Sequence, residues 1–387
     1  MGLVPGGFEF AQPEEELLLQ TTRDFAREVL APADRRWDRD ETSVRELLPH
    51  IARMGLMNLL LPQELNGLDL SYRLYAAVIH EISKWSPSTG VTLCVHNMAG
   101  KILSHCAREP RRSEWLSEFG QPEHLAAFAL SEAGAGSDAR AIKTSAKEAD
   151  GGLTVTGEKM WITNGISARW FLTLVRLHGV PESRSYCAVM IDGESPGLER
   201  TKISGKMGIR GSETAVISLN DVFVPEDHLI DERGSGLRVF LTCLNEGRVG
   251  IACQASGIAE ACLEETISYA RQREQFSKPI GRFQAVGNMV ADGVTELEVA
   301  KALIWDAACR LDAAQSDRAA SSKAKLYATE AANRIAYRAV QVHGGTGFVN
   351  ECRVEQLYRD ARVTTIYEGT SEVQRIVIAD ELRKKHG

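Results

Sequence analysis

Ile366-Tyr367-Glu368-Gly369-Thr370-Ser371-Glu372 sets a carboxylate between an aromatic residue and a glycine near the end of the chain. Under apolar packing such a carboxylate has its pKa raised by desolvation, which is what a general base for a weak carbon acid needs. The same residues also read as a helix start, with Thr370 as cap and Glu372 in the first turn. Phe128-Ala129-Leu130-Ser131-Glu132-Ala133-Gly134-Ala135-Gly136-Ser137-Asp138 runs from an apolar strand into a glycine-rich loop. Glycines let a backbone approach a flat ring or a phosphate, with N–H groups aimed at anionic oxygens. An ordinary surface turn is the plainer alternative. In Trp161-Ile162-Thr163, residues two apart share a strand face. The indole and hydroxyl suit a planar cofactor, or else a core tryptophan before a turn. Arg273, Phe276 and Gln284, and then Gln341-Val342-His343-Gly344-Gly345, offer an arginine and a diglycine turn of the kind that suits a pyrophosphate.

Other chemistries are missing or out of context. There is no GxxxxGK[ST] loop, no strict GxGxxG and no HExxH. The relaxed glycine pattern at Gly134, Gly136 and Ala139 has no helical pattern after it, which argues against a dinucleotide fold of the Rossmann kind. Gly193-Glu194-Ser195-Pro196-Gly197 matches a nucleophile elbow by letter but lies in a polar turn. His343 beside two glycines reads as structural. No cysteine pair has CxxC or zinc spacing, so the eight cysteines read as buried free thiols in a reducing compartment.

The elements that must position these residues fall into three blocks. Residues 1–125 are helical in pattern, with acids at Glu14-Glu15-Glu16 suiting a helix start after Pro13. Leu17, Leu18, Phe25, Val29 and Leu30 recur at roughly helical intervals. Residues 126–233 hold short apolar segments divided by glycine and polar clusters, the pattern of a small antiparallel β domain. Residues 234–387 return to helices, and no proline interrupts Leu237 to Arg273. A net charge of -7 argues against a nucleic-acid partner. No apolar run is long enough to cross a membrane. A cytoplasmic protein, or a mature one in the mitochondrial matrix, is the expectation.

Together, the order and spacing of these segments resemble the acyl-CoA dehydrogenase family from about Glu14 to Lys384. The resemblance implies an α+β fold: an N-terminal helical domain, a central antiparallel β-barrel-like domain and a C-terminal four-helix bundle. It implies FAD, held by Phe128, Ala129, Leu130, Ser131, Gly136, Ser137, Trp161, Ile162 and Thr163 at the flavin. Arg273, Phe276, Gln284, Gln341, Val342, Gly344 and Gly345 then serve its adenosine diphosphate, partly from a neighbouring subunit, with Thr370 and Glu372 also nearby. Ser137, Asn245, Arg248 and Gly369 become substrate contacts and Glu368 the base that takes the α-proton of an acyl-CoA. A homotetramer built as a dimer of dimers is implied, and an electron-transferring flavoprotein as acceptor.

Departures from the family pattern are Ala133 for proline, Ser277 for the glycine after Arg-x-x-Phe, Phe348 for tyrosine, and the stretch from Cys106 to Trp115. Some relatives carry the base on the long helix, just before the arginine that matches Arg248; here that residue is Gly247. Glu246 is adjacent, but one residue turns a helix by about 100°, so it is expected to point elsewhere. The remaining alternatives are an oxidase, a lyase or desulfinase on the same fold, and a non-catalytic acyl-thioester-binding protein.

Overall fold

The computed structural model describes residues 8, 12–315 and 317–386. Its first helices are α1 (Pro13–Phe25), α2 (Ala31–Asp40), α3 (Leu48–Arg53), α4 (Tyr72–Trp85), α5 (Pro87–Cys106) and α6 (Arg111–Glu118). Pro13 stands at the start of α1 ahead of its three acids, where its missing N–H costs nothing. Ser86 both ends α4 and caps α5, its hydroxyl accepting the Thr89 N–H at 3.2 Å. Leu17, on the expected apolar stripe of α1, is 67% exposed; the buried face runs instead through Leu19, Thr22 and Phe25.

The strands follow as β1 (Ala126–Ala129), β2 (Ser145–Ala149), β3 (Gly152–Thr163), β4 (Trp170–Leu177), β5 (Tyr186–Asp192), β6 (Leu198–Lys202), β7 (Thr214–Pro225) and β8 (Leu229–Ile230). They form one sheet in the order β6-β7-β3-β2-β4-β5-β8, with β1 on β4. The pairing is mostly antiparallel, but β1 and β2 each run parallel to β4. β4 reads as a nearly continuous apolar run because both its faces are covered. Leu172 and Leu174 join a core with α5 and α6, while Phe171 and Val175 join one within the sheet. That inner core draws side chains from β2, β3, β5 and β7 alike, so the sheet curls around it as a barrel does.

The last block contains α7 (Gly236–Gln272), a hairpin of β9 (Glu274–Gln275) and β10 (Lys278–Pro279), α8 (Gln284–Asp312), α9 (Arg318–His343), α10 (Arg353–Thr364) and α11 (Ser371–His386). α7, α8 and α9 pack side by side, α11 lies on α9, and the short α10 adds a fifth helix against α7 and α9. With 37 residues, α7 is about 55 Å long. Residues 247–263 of α7 are all buried, which small side chains allow: a Cβ on Gly257 would lie 2.5 Å from the His80 carbonyl. α7 is therefore the spine on which the N-terminal helices, the sheet and the bundle meet. All eight cysteines are free, but only five are buried; Cys106, Cys309 and Cys352 are half-buried. Among the described residues, no helix is long and apolar enough to cross a membrane and no side-chain cluster could hold a metal ion.

Candidate active site

Glu368 and Gly369 form the turn between α10 and α11, and both are left-handed, with φ of 52° and 88°. For a residue with a Cβ that conformation is uncommon and must be held from outside. Gln374 of α11 does so, its amide donating to the Glu368 carbonyl at 3.1 Å and to the Gly369 carbonyl at 2.9 Å. Lys325 of α9 adds a third donor, Nζ to the Gly369 carbonyl at 2.7 Å. Tyr367 is tied to α7 through its hydroxyl, which donates to Gln254. Thr370 caps α11 by accepting the Val373 N–H at 3.3 Å, so the cap and the carboxylate motif are one structure.

The turn aims the Glu368 carboxylate at α7. A Cβ built on Gly247 would lie 2.8 Å from Glu368 Oε2 and 2.7 Å from Met98 Sδ. The residue as a whole is half-buried, yet Oε2 is closed off from solvent and has no hydrogen-bond partner. Burial raises the carboxyl pKa, and Arg248 and Lys325 pull it back, leaving it at about 7. The group therefore titrates near neutrality with an oxygen left unpaired. Cys94 sits near it, but burial pushes the thiol up to about 12, so it stays protonated and is no nucleophile. Glu246 turns away as expected, toward Tyr72 and Lys101.

Arg248 is buried, with Nη1 donating to Asn245 Oδ1 at 3.0 Å and Nε unpartnered. Burial and Arg318 lower its pKa to about 10, so it remains a cation at neutral pH. Asn245 in turn lines a groove of about 870 Å³ together with Arg140, Leu237, Arg238, Leu241 and Arg318. Asn245 thus joins the groove to Arg248, which is in turn near enough to the Glu368 carboxylate to lower its pKa.

The glycine-rich loop after β1 is stapled to β3. Lys159, fully buried, donates to the Leu130 carbonyl at 3.1 Å and to Glu132 Oε1 at 2.9 Å. Burial lowers the Lys159 pKa to about 8, while Glu132 opposes the fall. Glu132 also accepts the Lys143 and Thr144 N–H groups, and the Ser131 carbonyl accepts the Met160 N–H at 2.8 Å. Ala129, Leu130 and Ile162 are buried, and Phe128 packs on Phe240 at 4.5 Å. Trp161 and Thr163 flank the buried Ile162 on the outward side, as alternation requires. A bulge in β3, however, puts Trp161 at φ 65° and leaves it 57% exposed. Asn164 ends the strand, its amide donating to the carbonyls of Thr92 and Ala126.

Arg273, Phe276 and Gln284 lie beyond the far end of α7, with Phe276 88% exposed. Tyr269 stacks on His343 at 4.3 Å, bringing Gln341, Val342, Gly344 and Gly345 to that same end. His343 Nδ1 donates to the Ala339 carbonyl at 2.7 Å, which supports its structural reading. Phe276 and Ser277 have φ of 51° and 60°, a conformation glycine adopts without strain; this is the physical content of the Ser277 departure. The site residues therefore form two groups. Ser131, Trp161, Asn245, Arg248 and Glu368 lie around the start and middle of α7, and the arginine–diglycine set lies at its end. Along the helix, Arg248 and Arg273 are separated by 25 residues, about 37 Å.

The residues present fit a flavin dinucleotide. The exposed Trp161 indole is on the strand that pairs with the loop after β1, where nothing lies within 4 Å of a Cβ built on Gly134 or Gly136, and at the other end of α7 the space around Gly344 and Gly345 is equally open. Comparison with known proteins agrees. Residues 12–123, 127–222 and 234–383 match the N-terminal, middle and C-terminal domains of acyl-CoA dehydrogenases. The mitochondrial short-chain specific acyl-CoA dehydrogenase of Mus musculus is 37% identical over 96% of this chain and 90% of its own. The 3-(aryl)acrylate reductase of Clostridium sporogenes is 34% identical over 97% and 100%. The structure of butyryl-CoA dehydrogenase from Megasphaera elsdenii superposes with a TM-score of 0.93 at 29% identity, covering 97% of this chain and 99% of that one. Fold and match together define a flavoprotein oxidoreductase with FAD as its cofactor. The chain belongs to the acyl-CoA dehydrogenase family.

Sequence reasoning passed over Lys325, Gln374, Lys159, Glu132 and Met98. Only Lys159 carried a signal, a lysine two residues before Trp161 in a strand whose neighbours alternate inward.

Proposed function

We propose that the protein removes hydrogen from the α and β carbons of a short acyl-CoA thioester, with Glu368 as the base. The observation that carries this reading is the unpaired, buried Glu368 Oε2, with a carboxyl pKa of about 7, close enough to the buried Arg248 and Lys325 to feel both charges. A base of that pKa is half ionised at neutral pH and is matched to proton abstraction from carbon. The Glu368 N–H makes no hydrogen bond among the described residues. It is free to donate to the thioester oxygen as enolate charge develops, and Arg248 lies close enough to favour the same charge. Asn245 holds the Arg248 guanidinium in place. Ser131 and Thr163 would bond the flavin ring, and Trp161 would cover it. FAD, when bound, accepts the β-hydrogen as hydride and supplies the redox chemistry.

The adenosine-diphosphate half of the site belongs to a neighbouring subunit. Arg273 lies about 37 Å along α7 from Arg248, farther than one extended dinucleotide reaches from a ring beside Glu368. Phe276 and Phe348, 88% and 83% exposed, sit at that end as an apolar surface to be covered. A homotetramer containing one FAD per subunit is expected from light scattering and flavin release; a monomer that keeps FAD contradicts it. The reduced enzyme is expected to hand electrons to an electron-transferring flavoprotein, and faster reoxidation by oxygen would instead mark an oxidase.

Met98 Sδ and Glu368 Oε2 lie within 3 Å of one point beside Gly247, so the thioether closes the space next to the base. An anaerobic panel of linear and branched acyl-CoA, scored by flavin bleaching, is expected to peak at short chains. Met98→Ala is expected to move the peak to longer ones. A wild-type peak at very long or aromatic acyl groups, or an unmoved peak in Met98→Ala, refutes the assignment of chain length.

A further inference from the structure

Lys325 is a lysine in an alanine-rich helix, and it is fully buried. A lysine buried to that degree is rare and costly unless something fixes its charge. Its neighbours Ala324 and Ala328 are also buried, so the packing of α9 does not need a long side chain at 325. Its Nζ donates to the carbonyl of Gly369, one residue beyond the base, at 2.7 Å.

We propose that Lys325 is a positioning residue for the catalytic base: it anchors the left-handed Glu368-Gly369 turn through the Gly369 carbonyl and, as a buried cation, keeps the Glu368 carboxylate ionised. The inference rests on the reading of Glu368 as the base. Two separate observations support it. The turn holds a non-glycine residue at φ 52°, which persists only where its surroundings over-determine it, and Lys325 and Gln374 supply the three hydrogen bonds that do so. The electrostatics run in the same sense. Burial raises the Glu368 pKa, and Arg248 and Lys325 lower it. Burial also lowers the Lys325 pKa, to about 8, with Glu368 opposing and Arg248 reinforcing the fall. Lys325 is therefore still charged where Glu368 titrates.

The other charged and titratable groups around the pair come from every neighbouring element. Glu330 of α9 and Glu372 of α11 face Lys325, and Arg318 of α9 faces Arg248. Cys94 of α5, Cys243 of α7 and Tyr367 face Glu368, with burial raising the pKa of each, so all stay neutral. The Arg248 guanidinium is held by Asn245 of its own helix. Lys325 is directed at the base's own turn.

The test is a pH titration of the protonated Glu368 carboxyl by infrared difference spectroscopy on the FAD holoenzyme. The band is assigned by its absence in Glu368→Gln. In the unaltered protein the midpoint is expected at about 7. Lys325→Gln removes the charge but keeps an amide donor for the turn. Its midpoint is expected to rise by about one pH unit or more, the usual effect of losing a nearby opposite charge. The acid limb of kcat/KM should move to higher pH with it. A purely structural role predicts loss of rate at every pH with the midpoint and the limb unmoved, and that result overturns the proposal. If Lys325→Gln does not fold, the unaltered protein still decides, since a midpoint well above 7 with Lys325 in place contradicts the assignment. The two readings fail separately. An active Glu368→Gln removes the base itself, whereas an inactive one with an unmoved Lys325→Gln titration removes only the role of Lys325.

Discussion

Glu368→Gln is expected to slow turnover by about 10²–10⁴-fold, the usual loss for a general base, while the protein keeps its fold and its FAD. The amide matches the carboxylate in shape, so the close approach to α7 is preserved. Oε2 has no hydrogen-bond partner among the described residues, so the substitution breaks no bond there. The turn is held through main-chain carbonyls, by Gln374 and Lys325, and those bonds do not depend on the side chain at 368. The result to look for is a yellow protein of normal size that has lost kcat. Loss of FAD together with rate would mean that Glu368 supports the fold rather than the chemistry.

Gly247→Glu has the second large effect, and its direction depends on what stands at 368. Alone it should inactivate the enzyme. Its Cβ would lie 2.7 Å from Met98 Sδ and 2.8 Å from Glu368 Oε2, so the first must shift and a second carboxylate would crowd the first. Like charges at that range cannot both ionise near neutral pH. Combined with Glu368→Gly, the same substitution should restore measurable dehydrogenation, because the new carboxylate approaches the same α-carbon from the helix. Recovery should stop about 10²-fold short of wild type, the cost of a base misplaced by about 1 Å. A Gly247→Glu enzyme with full activity, or a double variant no better than Glu368→Gly, would show that Gly247 does not face the reacting carbon. Glu246 serves as the control: it points to Tyr72 and Lys101, so Glu246→Gln should not imitate Glu368→Gln.

Those two positions show how much of the site was legible in the sequence. The family resemblance implied that Gly247 stands opposite the base, and helical rotation along an unbroken 37-residue helix then turned Glu246 away from it. The carboxylate motif, the loop after β1 and the Trp161 strand were legible because each is local, a few residues carrying both the chemistry and its turn. Lys325 and Lys159 were not. A lysine belongs by default on the surface, and their partners lie 44 and 27 residues away, so only tertiary packing reveals them. The left-handed φ at Trp161 was hidden for a related reason, since alternation shows which side a residue takes but not a bulge in the register. Leu17 shows the converse error: its interval is helical, yet the buried face of α1 passes it by. Strand direction was also out of reach, because the parallel β1–β4 and β2–β4 pairings leave no mark on a short apolar segment.

The most direct test of the central claim is one anaerobic turnover. The FAD-loaded protein and its Glu368→Gln variant are mixed rapidly with a short acyl-CoA at pH 7 and above, and the flavin absorbance is followed to completion. The wild-type flavin should bleach in proportion to enoyl-CoA formed, at a rate that climbs as pH passes about 7. The variant should bind the thioester and stay yellow over the same time. Bleaching of Glu368→Gln at the wild-type rate would contradict the account, whatever else the structure shows.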